Sequence, residues 1–418
     1  MRFRTLPEWL AWQEQLHPDV IDLGLHRVRH VLAALKLDRP AYPILTVGGT
    51  NGKGSCVSFA EAMLMAAGRK TGAYVSPHLL RYNERVRVDG DDVTDEEFCE
   101  SFARIDAVRG DLKVTYFEFG TLAAIDIFAR RGVEAAVLEV GLGGRLDAVN
   151  ALDPDAALVS SIGLDHQDWL GPDRESIGRE KAGIFRAGKP AVCGDREPPA
   201  SLRDYATTLH ADLRLIGRDF EHHPAGEGWT WRGREGSYTG LPAPALPGHI
   251  QYDNAASVIA ALQASERLRV PEVAIRRGLT EARIPARFQR VSGPVETVFD
   301  VSHNPDAARV LSENLLAAPA QGRSFAVVGM FKDKAAEEVA RALAGRFQRW
   351  YLGGLEGPRG QSAAALAARV HAALPEAELG QFPSVPAAYA AAMGEARPGD
   401  RVVVFGSFQT VAAVLKEV

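Results

Sequence analysis

A chain of 418 residues, 46% hydrophobic and 24% charged, has the make-up of an ordinary globular protein and is long enough to predict two domains, each with its own core. A net charge of −5 argues against a nucleic-acid-binding surface, so any attraction for an anionic ligand has to be local. Three cysteines, Cys56, Cys99 and Cys193, are too few and too scattered for a disulfide framework or a metal knuckle, and they favour a reducing compartment. The first residues, Met1 to Glu8, lack the apolar core of a signal peptide and no run approaches the length of a membrane span, so the expected location is the cytoplasm, with no membrane partner.

In chain order, apolar runs at Ile44 to Val47, Thr71 to Val75, Ala135 to Val140, Ala156 to Ile162 and Pro190 to Val192 predict strands. Helix-length segments separate them, the first at Ser55 to Ala67, and this alternation predicts a parallel sheet flanked by helices. Between Arg218 and Gly240 short aromatic runs, Trp229-Thr230-Trp231 and Ser237-Tyr238-Thr239, are punctuated by glycines and read as a small antiparallel appendage. A helix from about Gln251 to Arg267 follows, and Ile284-Pro285-Ala286-Arg287 then reads as a linker because proline interrupts any helix. A second α/β series has strands at Val295 to Val301, Phe325 to Val328, Arg349 to Leu352 and Arg401 to Phe405, with Asn304-Pro305 reading as an N-cap and first helical turn. The boundary falls near residue 286, giving an α/β protein with domains 1–285 and 286–418.

The most informative stretch is Thr46-Val47-Gly48-Gly49-Thr50-Asn51-Gly52-Lys53-Gly54-Ser55, between an apolar strand and a helix. It reads as a triphosphate cradle: the glycines let the backbone approach phosphate oxygens, Lys53 adds a point charge and Ser55 offers a hydroxyl to Mg²⁺. The strict Walker pattern fails, since Val47 stands where a glycine is required and Gly54 where Ser or Thr is required; what survives is the order strand, glycine turn, helix. Glu139 ends an apolar strand before Gly141-Leu142-Gly143-Gly144-Arg145, where a carboxylate needs a cation: either nucleotide-bound Mg²⁺ or a basic side chain such as Arg145. His166, after Ser160-Ser161-Ile162-Gly163-Leu164-Asp165, has a structural reading and a ligand reading. Lys181, beside Glu180, reads on its own as a salt-bridged helix lysine with a solvated head.

Gly49 to Ser55, Ser76-Pro77-His78-Leu79, Glu139 to Asp147, Asp165-His166, Glu180 to Ile184, Gly248 to Ala255 and Asp300-Val301-Ser302-His303-Asn304-Pro305 together resemble folylpolyglutamate synthase, within the Mur ligase superfamily. The order and spacing hold over nearly the whole chain, and the extra glycine after Lys53 is the folate branch's form of the loop. The resemblance implies a Mur-ligase-like fold, with an N-terminal P-loop ATPase-type parallel sheet and a C-terminal Rossmann-like, glutamate-ligase domain. It implies that Gly49, Thr50, Asn51, Gly52, Lys53, Gly54 and Ser55 bind ATP, the last four at the β- and γ-phosphates. Ser55, Ser76, Glu139 and His166 would position Mg²⁺, and Lys53, His166 and Lys181 would serve catalysis. Lys181 matches a lysine that is carbamylated in this family, which needs a neutral amine and hence a depressed pKa. From the second half, Asn254 would meet the adenine, Arg287 the phosphates and Asp300 the ribose, with His303 close to the nucleotide. Residues on both sides of the boundary imply closure of one domain over the other; Arg287 also has a plainer reading as a solvated linker charge.

The implied reaction is ATP-driven amide formation, in which a substrate carboxylate takes the γ-phosphoryl group and the amine of glutamate then displaces phosphate from the acyl phosphate. The pterin is placed by the resemblance on the loop after Ser76, on Thr115, Tyr116, Phe117 and Glu118, and on Leu146, Asp147 and Ala148; Phe117 reads equally well as a core aromatic. The run Asp168 to Arg179 resembles bacterial enzymes that also make dihydrofolate from dihydropteroate, which implies a bifunctional enzyme acting on small molecules. Nothing demands more than a monomer. Two rivals remain. A peptidoglycan-type ligase would need a further domain for its nucleotide-sugar substrate, for which the stretch before Thr46 is too short, and a P-loop switch would leave the second α/β series unexplained.

Overall fold

The computed structural model describes every residue except Met1, Pro18, Val20, Glu227 and Val418. The chain forms two compact units, one running up to Ala245 and including Gln251–Arg283, the other made of Leu246–Ile250 and the chain from Ile284 onward.

The first unit is built on β1 (Ile44–Gly48), β2 (Thr71–Tyr74), β3 (Val86–Val88), β4 (Asp91–Asp92), β5 (Ala135–Glu139), β6 (Ala156–Val159), β7 (Pro190–Cys193) and β8 (Asp212–Leu215). They lie in the order β4-β3-β2-β5-β1-β6-β7-β8, with every pairing parallel except β2 with β3 and β3 with β4. β1 and β5 are buried along their whole length, as continuous apolar strands covered on both faces should be. Register then brings the site together. Val47 pairs with Glu139 and Gly48 with Val159, so the ends of three strands open side by side at the turn that leads into helix Lys53–Ala66.

β6 is shorter than the run Ala156 to Ile162 predicts, because Ser160 to Ile162 leave the ladder and give their polar groups to neighbouring loops. The aromatic, glycine-punctuated stretch is the expected antiparallel appendage, formed by β9 (Phe220–Ala225), β10 (Gly228–Gly233) and β11 (Gly236–Leu241). Its Trp231 is buried and donates its indole N–H to Ala256 O at 3.0 Å, which ties the appendage to helix Ile250–Ala264.

The second unit holds β12 (Gln289–Val291), β13 (Glu296–Phe299), β14 (Ser324–Val328), β15 (Arg349–Gly353), β16 (Leu379–Phe382) and β17 (Arg401–Phe405), in the order β12-β13-β17-β14-β15-β16. Only β12 is antiparallel. Helix Pro305–Ala317 starts as expected, with Asn304 Oδ1 accepting the Ala307 N–H at 2.9 Å and Pro305 in the first turn.

Candidate active site

The glycine turn after β1 is held open by side chains from the end of β6. Gly49 has φ +140°, and a Cβ there would lie 2.0 Å from Ser160 Oγ, so only glycine fits. Ser160 Oγ donates to Asn51 O at 2.6 Å, Thr50 N–H donates to Ser161 O at 2.7 Å, and Gly163 N–H donates to Thr50 Oγ1 at 3.0 Å. Gly52, at φ +87°, precedes the helix, and a Cβ there would meet Asn254 Oδ1 at 2.8 Å. Asn254 is thereby placed over the first turn of the helix, its amide steadied by Gln251 Oε1 at 3.0 Å. Ser55 is buried one turn in, and Cys56 behind it is fully buried with its thiol pushed well above the usual range, which suits packing and not nucleophilic attack.

Two lysines converge on one carbonyl. Lys53 Nζ lies 3.1 Å and Lys181 Nζ 2.9 Å from Gly49 O. Lys181 is only 4% exposed, on helix Arg174–Ala182, so the solvated, salt-bridged lysine read from its neighbours is not what forms: Glu180 pairs instead with Arg145, at 2.9 Å. Burial, with the Lys53 ammonium adding to it, lowers the Lys181 amine to about 7, against the opposing pull of Asp165 and Asp147.

Glu139 is 5% exposed at the end of β5, and its Oε2 accepts the Ser76 N–H at 3.4 Å. Arg145, the basic partner raised for it, is committed to Glu180. His166 is exposed, has a left-handed φ of 52° and opens the short helix Gln167–Leu170. Among the described residues no group of three or more His, Cys, Asp or Glu could hold a metal ion unaided. Hydroxyls at Ser55 and Ser76, one carboxylate and one imidazole suit an ion that takes its remaining ligands from phosphate and water, as Mg²⁺ does.

The candidate pterin residues divide. Thr115 and Glu118 form a capping box that starts helix Tyr116–Arg131, and the Glu118 carboxylate also pairs at 3.0 Å with buried Arg27. Both side chains are thus engaged in holding the helix, and a bond from Glu118 to a pterin would have to displace them. Ala148 is core. Tyr116, Phe117 and Leu146 are half-buried, with Phe117 packed 6.1 Å from the Tyr74 ring and so close over Gly141 that a Cβ there would sit 2.4 Å from its ring. Asp147 is buried, and burial pushes its carboxyl up to about 6 although Gly141, Leu142 and Val149 all donate N–H groups to it.

In the second unit, Arg287 is half-buried between two residues of left-handed conformation, Ala286 at φ 56° and Phe288 at φ 46°. Asp300 holds that shape: Oδ2 accepts the Phe288 N–H at 2.8 Å while Oδ1 takes the Ser302 N–H at 2.9 Å and its hydroxyl. His303 is half-buried, with Nδ1 2.9 Å from Val301 O.

Sequence reasoning missed one group around the loop. Asp195 and Arg174 grip the backbone of Ile162, and Arg196 pairs with Asp253, which precedes Asn254. No motif marks them, and only the fold brings them together.

The Mur ligase middle domain matches residues 47–221 and the Mur ligase glutamate ligase domain matches residues 286–408. The chain is 46% identical to dihydrofolate synthase/folylpolyglutamate synthase of Escherichia coli, covering 98% of this chain and 95% of that protein. Escherichia coli FolC in complex with DHPP and ADP has the same architecture, at 46% identity and a TM-score of 0.94, with 99% of this chain and 97% of that one covered. A bifunctional folylpolyglutamate synthase/dihydrofolate synthase with Mn, AMPPNP and L-glutamate bound is 48% identical with a TM-score of 0.91, over 99% of this chain and 98% of that one. With both domain models matched in order and this identity sustained along nearly its full length, the chain belongs to the Mur ligase family, in its dihydrofolate synthase/folylpolyglutamate synthase branch.

Proposed function

We propose that this protein is an ATP-dependent carboxylate–amine ligase that adds L-glutamate both to dihydropteroate and to reduced folates through an acyl phosphate. The observation that carries the reading is the convergence of Lys53 and Lys181 on the Gly49 carbonyl, inside a glycine turn that only glycine can form. Loop amides from Gly52 to Ser55 and the Lys53 ammonium would face the phosphates and neutralise charge as the γ-phosphoryl group moves to the substrate carboxylate, while the Thr50 and Asn51 N–H groups are spent on Ser161 and fix the loop's shape. Ser55, Ser76, Glu139 and His166 would hold Mg²⁺, which supplies further neutralisation when bound. The low pKa of Lys181 keeps much of its amine neutral at pH 7, so it can add CO₂ and become a carbamate that orients the phosphate end.

Domain 1–285 is the proposed ATP-binding part, with Asn254 as a nucleotide contact, and 286–418 the proposed glutamate-ligase part, to which the nucleotide roles of Arg287, Asp300 and His303 belong. Asp147, Phe117, Tyr116 and Leu146 are proposed at the pterin; Thr115, Glu118 and Ala148 support them from the helix cap and the core. The enzyme is proposed to act as a cytoplasmic monomer on small molecules, with neither nucleic acid nor membrane as partner; among the described residues no helix is long and apolar enough to cross a membrane.

The test is to incubate the protein with ATP, Mg²⁺ and glutamate, offering dihydropteroate in one tube and a reduced folate in another, and to weigh the products. Glutamate-dependent products in both establish the two activities. ATP hydrolysis independent of glutamate and pterin would establish a switch-type ATPase instead.

A further inference from the structure

Three segments of the nucleotide site meet at one short turn that carries no motif, Gly194 to Glu197, directly after β7. Gly194 donates its N–H to Val159 O at 2.9 Å, and a Cβ there would lie 2.9 Å from Ser160 O and 2.5 Å from Ser257 Oγ. The turn is therefore wedged between the end of β6 and helix Ile250–Ala264.

Asp195, buried in that turn, uses Oδ2 to accept the Ile162 N–H at 2.8 Å and to pair with Arg174 Nη2 at 3.0 Å. Arg174 Nε donates to the Ile162 carbonyl at 2.9 Å, so both polar groups of a single backbone residue are gripped. Ile162 lies between Ser161 and Gly163, which bond Thr50 of the phosphate loop, and Arg174 opens the helix that carries Lys181. In the stretch that follows, Leu164 is 48% and Trp169 49% exposed, and the next buried apolar side chain after Ile162 is Leu170, at the far end of the short helix. Arg196, the next residue of the turn, pairs with Asp253 through Nε at 3.1 Å, and His222 Nε2 of β9 reaches the same carboxylate at 2.8 Å. Asp253 immediately precedes Asn254, whose side chain stands over Gly52.

We propose that the Gly194–Glu197 turn is a positioning element of the ligase site. Asp195, working with Arg174, sets the 160–166 segment against the phosphate loop and so aims His166 at the metal, while Arg196, through Asp253, sets the helical turn from which Asn254 reaches the loop. The inference rests on the nucleotide-site reading given above. Outer residues that orient metal ligands in this way are worth about 10- to 100-fold in metal affinity or activity.

The test compares Asp195→Asn, Arg174→Ala and Arg196→Ala in the full chain by ADP calorimetry with and without Mg²⁺, and by steady-state kinetics. Asp195→Asn and Arg174→Ala should each raise the Mg²⁺ concentration for half-maximal activity about tenfold and shrink the gain in ADP affinity that Mg²⁺ gives, with the KM for glutamate unchanged. Arg196→Ala should weaken ADP binding and raise the KM for ATP while the Mg²⁺ half-saturation stays put. Arg174 and Arg196 have side chains 40% and 51% exposed, so those two variants decide the matter even where Asp195→Asn folds poorly. Unchanged metal and nucleotide constants in both arginine variants, or activity losses that track only a lowered Tm, would overturn the proposal. A parent protein that forms no glutamate-dependent product would sink the ligase reading instead, and the ADP titrations would still decide the positioning role.

Discussion

Replacing Lys181 with methionine tests the chemistry of the site most directly, because this residue combines near-complete burial with an amine lowered to about 7. At pH 7 about half of such an amine is neutral, against about one molecule in three thousand for an ordinary lysine, and only the neutral form attacks CO₂. The shift is also a statement about stability. Between about pH 7 and 10.5 the unfolded chain binds a proton that the folded chain lacks, so the penalty for burying the ammonium is complete below pH 7 and is relieved as the pH rises towards 10.5. Its size is on the order of 4 kcal/mol at pH 7 and about 2 kcal/mol at pH 9. Methionine keeps an unbranched apolar stem and removes the charge, so in CO₂-free buffer Lys181→Met should be the more stable protein by those amounts, the gap closing at high pH. Urea unfolding across a pH series measures this. With ¹³C-bicarbonate, NMR of the parent should show a carbamate carbonyl signal that rises with a midpoint near pH 7 and is absent from the variant. Turnover of Lys181→Met should fall to background, whereas Lys181→Ala, which leaves room beside the loop, should recover in part with acetate or another short-chain acid. A variant no more stable than the parent at pH 7, with no carbamate signal from the parent, would refute the reasoning.

Lys53→Ala should lower turnover by at least about a hundredfold with an unchanged circular dichroism spectrum, since its ammonium is aimed at the loop where phosphate charge develops; wild-type turnover would contradict the phosphate role. Glu139→Gln should raise the Mg²⁺ needed for half-maximal activity about tenfold or more, read from a metal titration at fixed ATP. Glu118→Ala breaks the buried pair with Arg27 and removes a helix cap, so thermal or urea unfolding should report a loss of about 3 kcal/mol with the dihydropteroate KM unchanged; a raised KM at normal stability would instead assign that carboxylate to the pterin.

The central strands were legible because each is an apolar run bounded by glycine or polar residues, and β1, β5 and β7 form within a residue of the runs read from the sequence. β3, β8, β12 and β16 were not: they are three or four residues long and only partly buried, so their pattern carries too few positions to show a period. The glycine turn, Glu139 and His166 announced themselves by local chemistry. The burial of Lys181 did not, because the Gly49 carbonyl that receives it lies 132 residues away in the chain. Thr115-Tyr116-Phe117-Glu118 carries the signature of a helix start, a threonine followed three residues later by glutamate, and Thr115 and Glu118 form that cap, which leaves Tyr116 and Phe117 as the members of the run proposed at the pterin. The grip on Ile162 was illegible for the opposite reason, as aspartate and arginine at unrelated positions acquire a shared purpose only when β6 and β7 lie side by side.

The interior position of β1 in its sheet has a consequence for the life of the nascent chain. Both strands that flank it are synthesised long after it, and the segment that props the glycine turn emerges later still. A ribosome-bound fragment that already displays the turn therefore has no rigid cradle to offer, and truncated products ending before β6 would neither sequester ATP nor hydrolyse it. Nucleotide capture is thereby postponed until the sheet around β1 is complete, so affinity for ADP doubles as a gauge of whether a given molecule has finished assembling its first half.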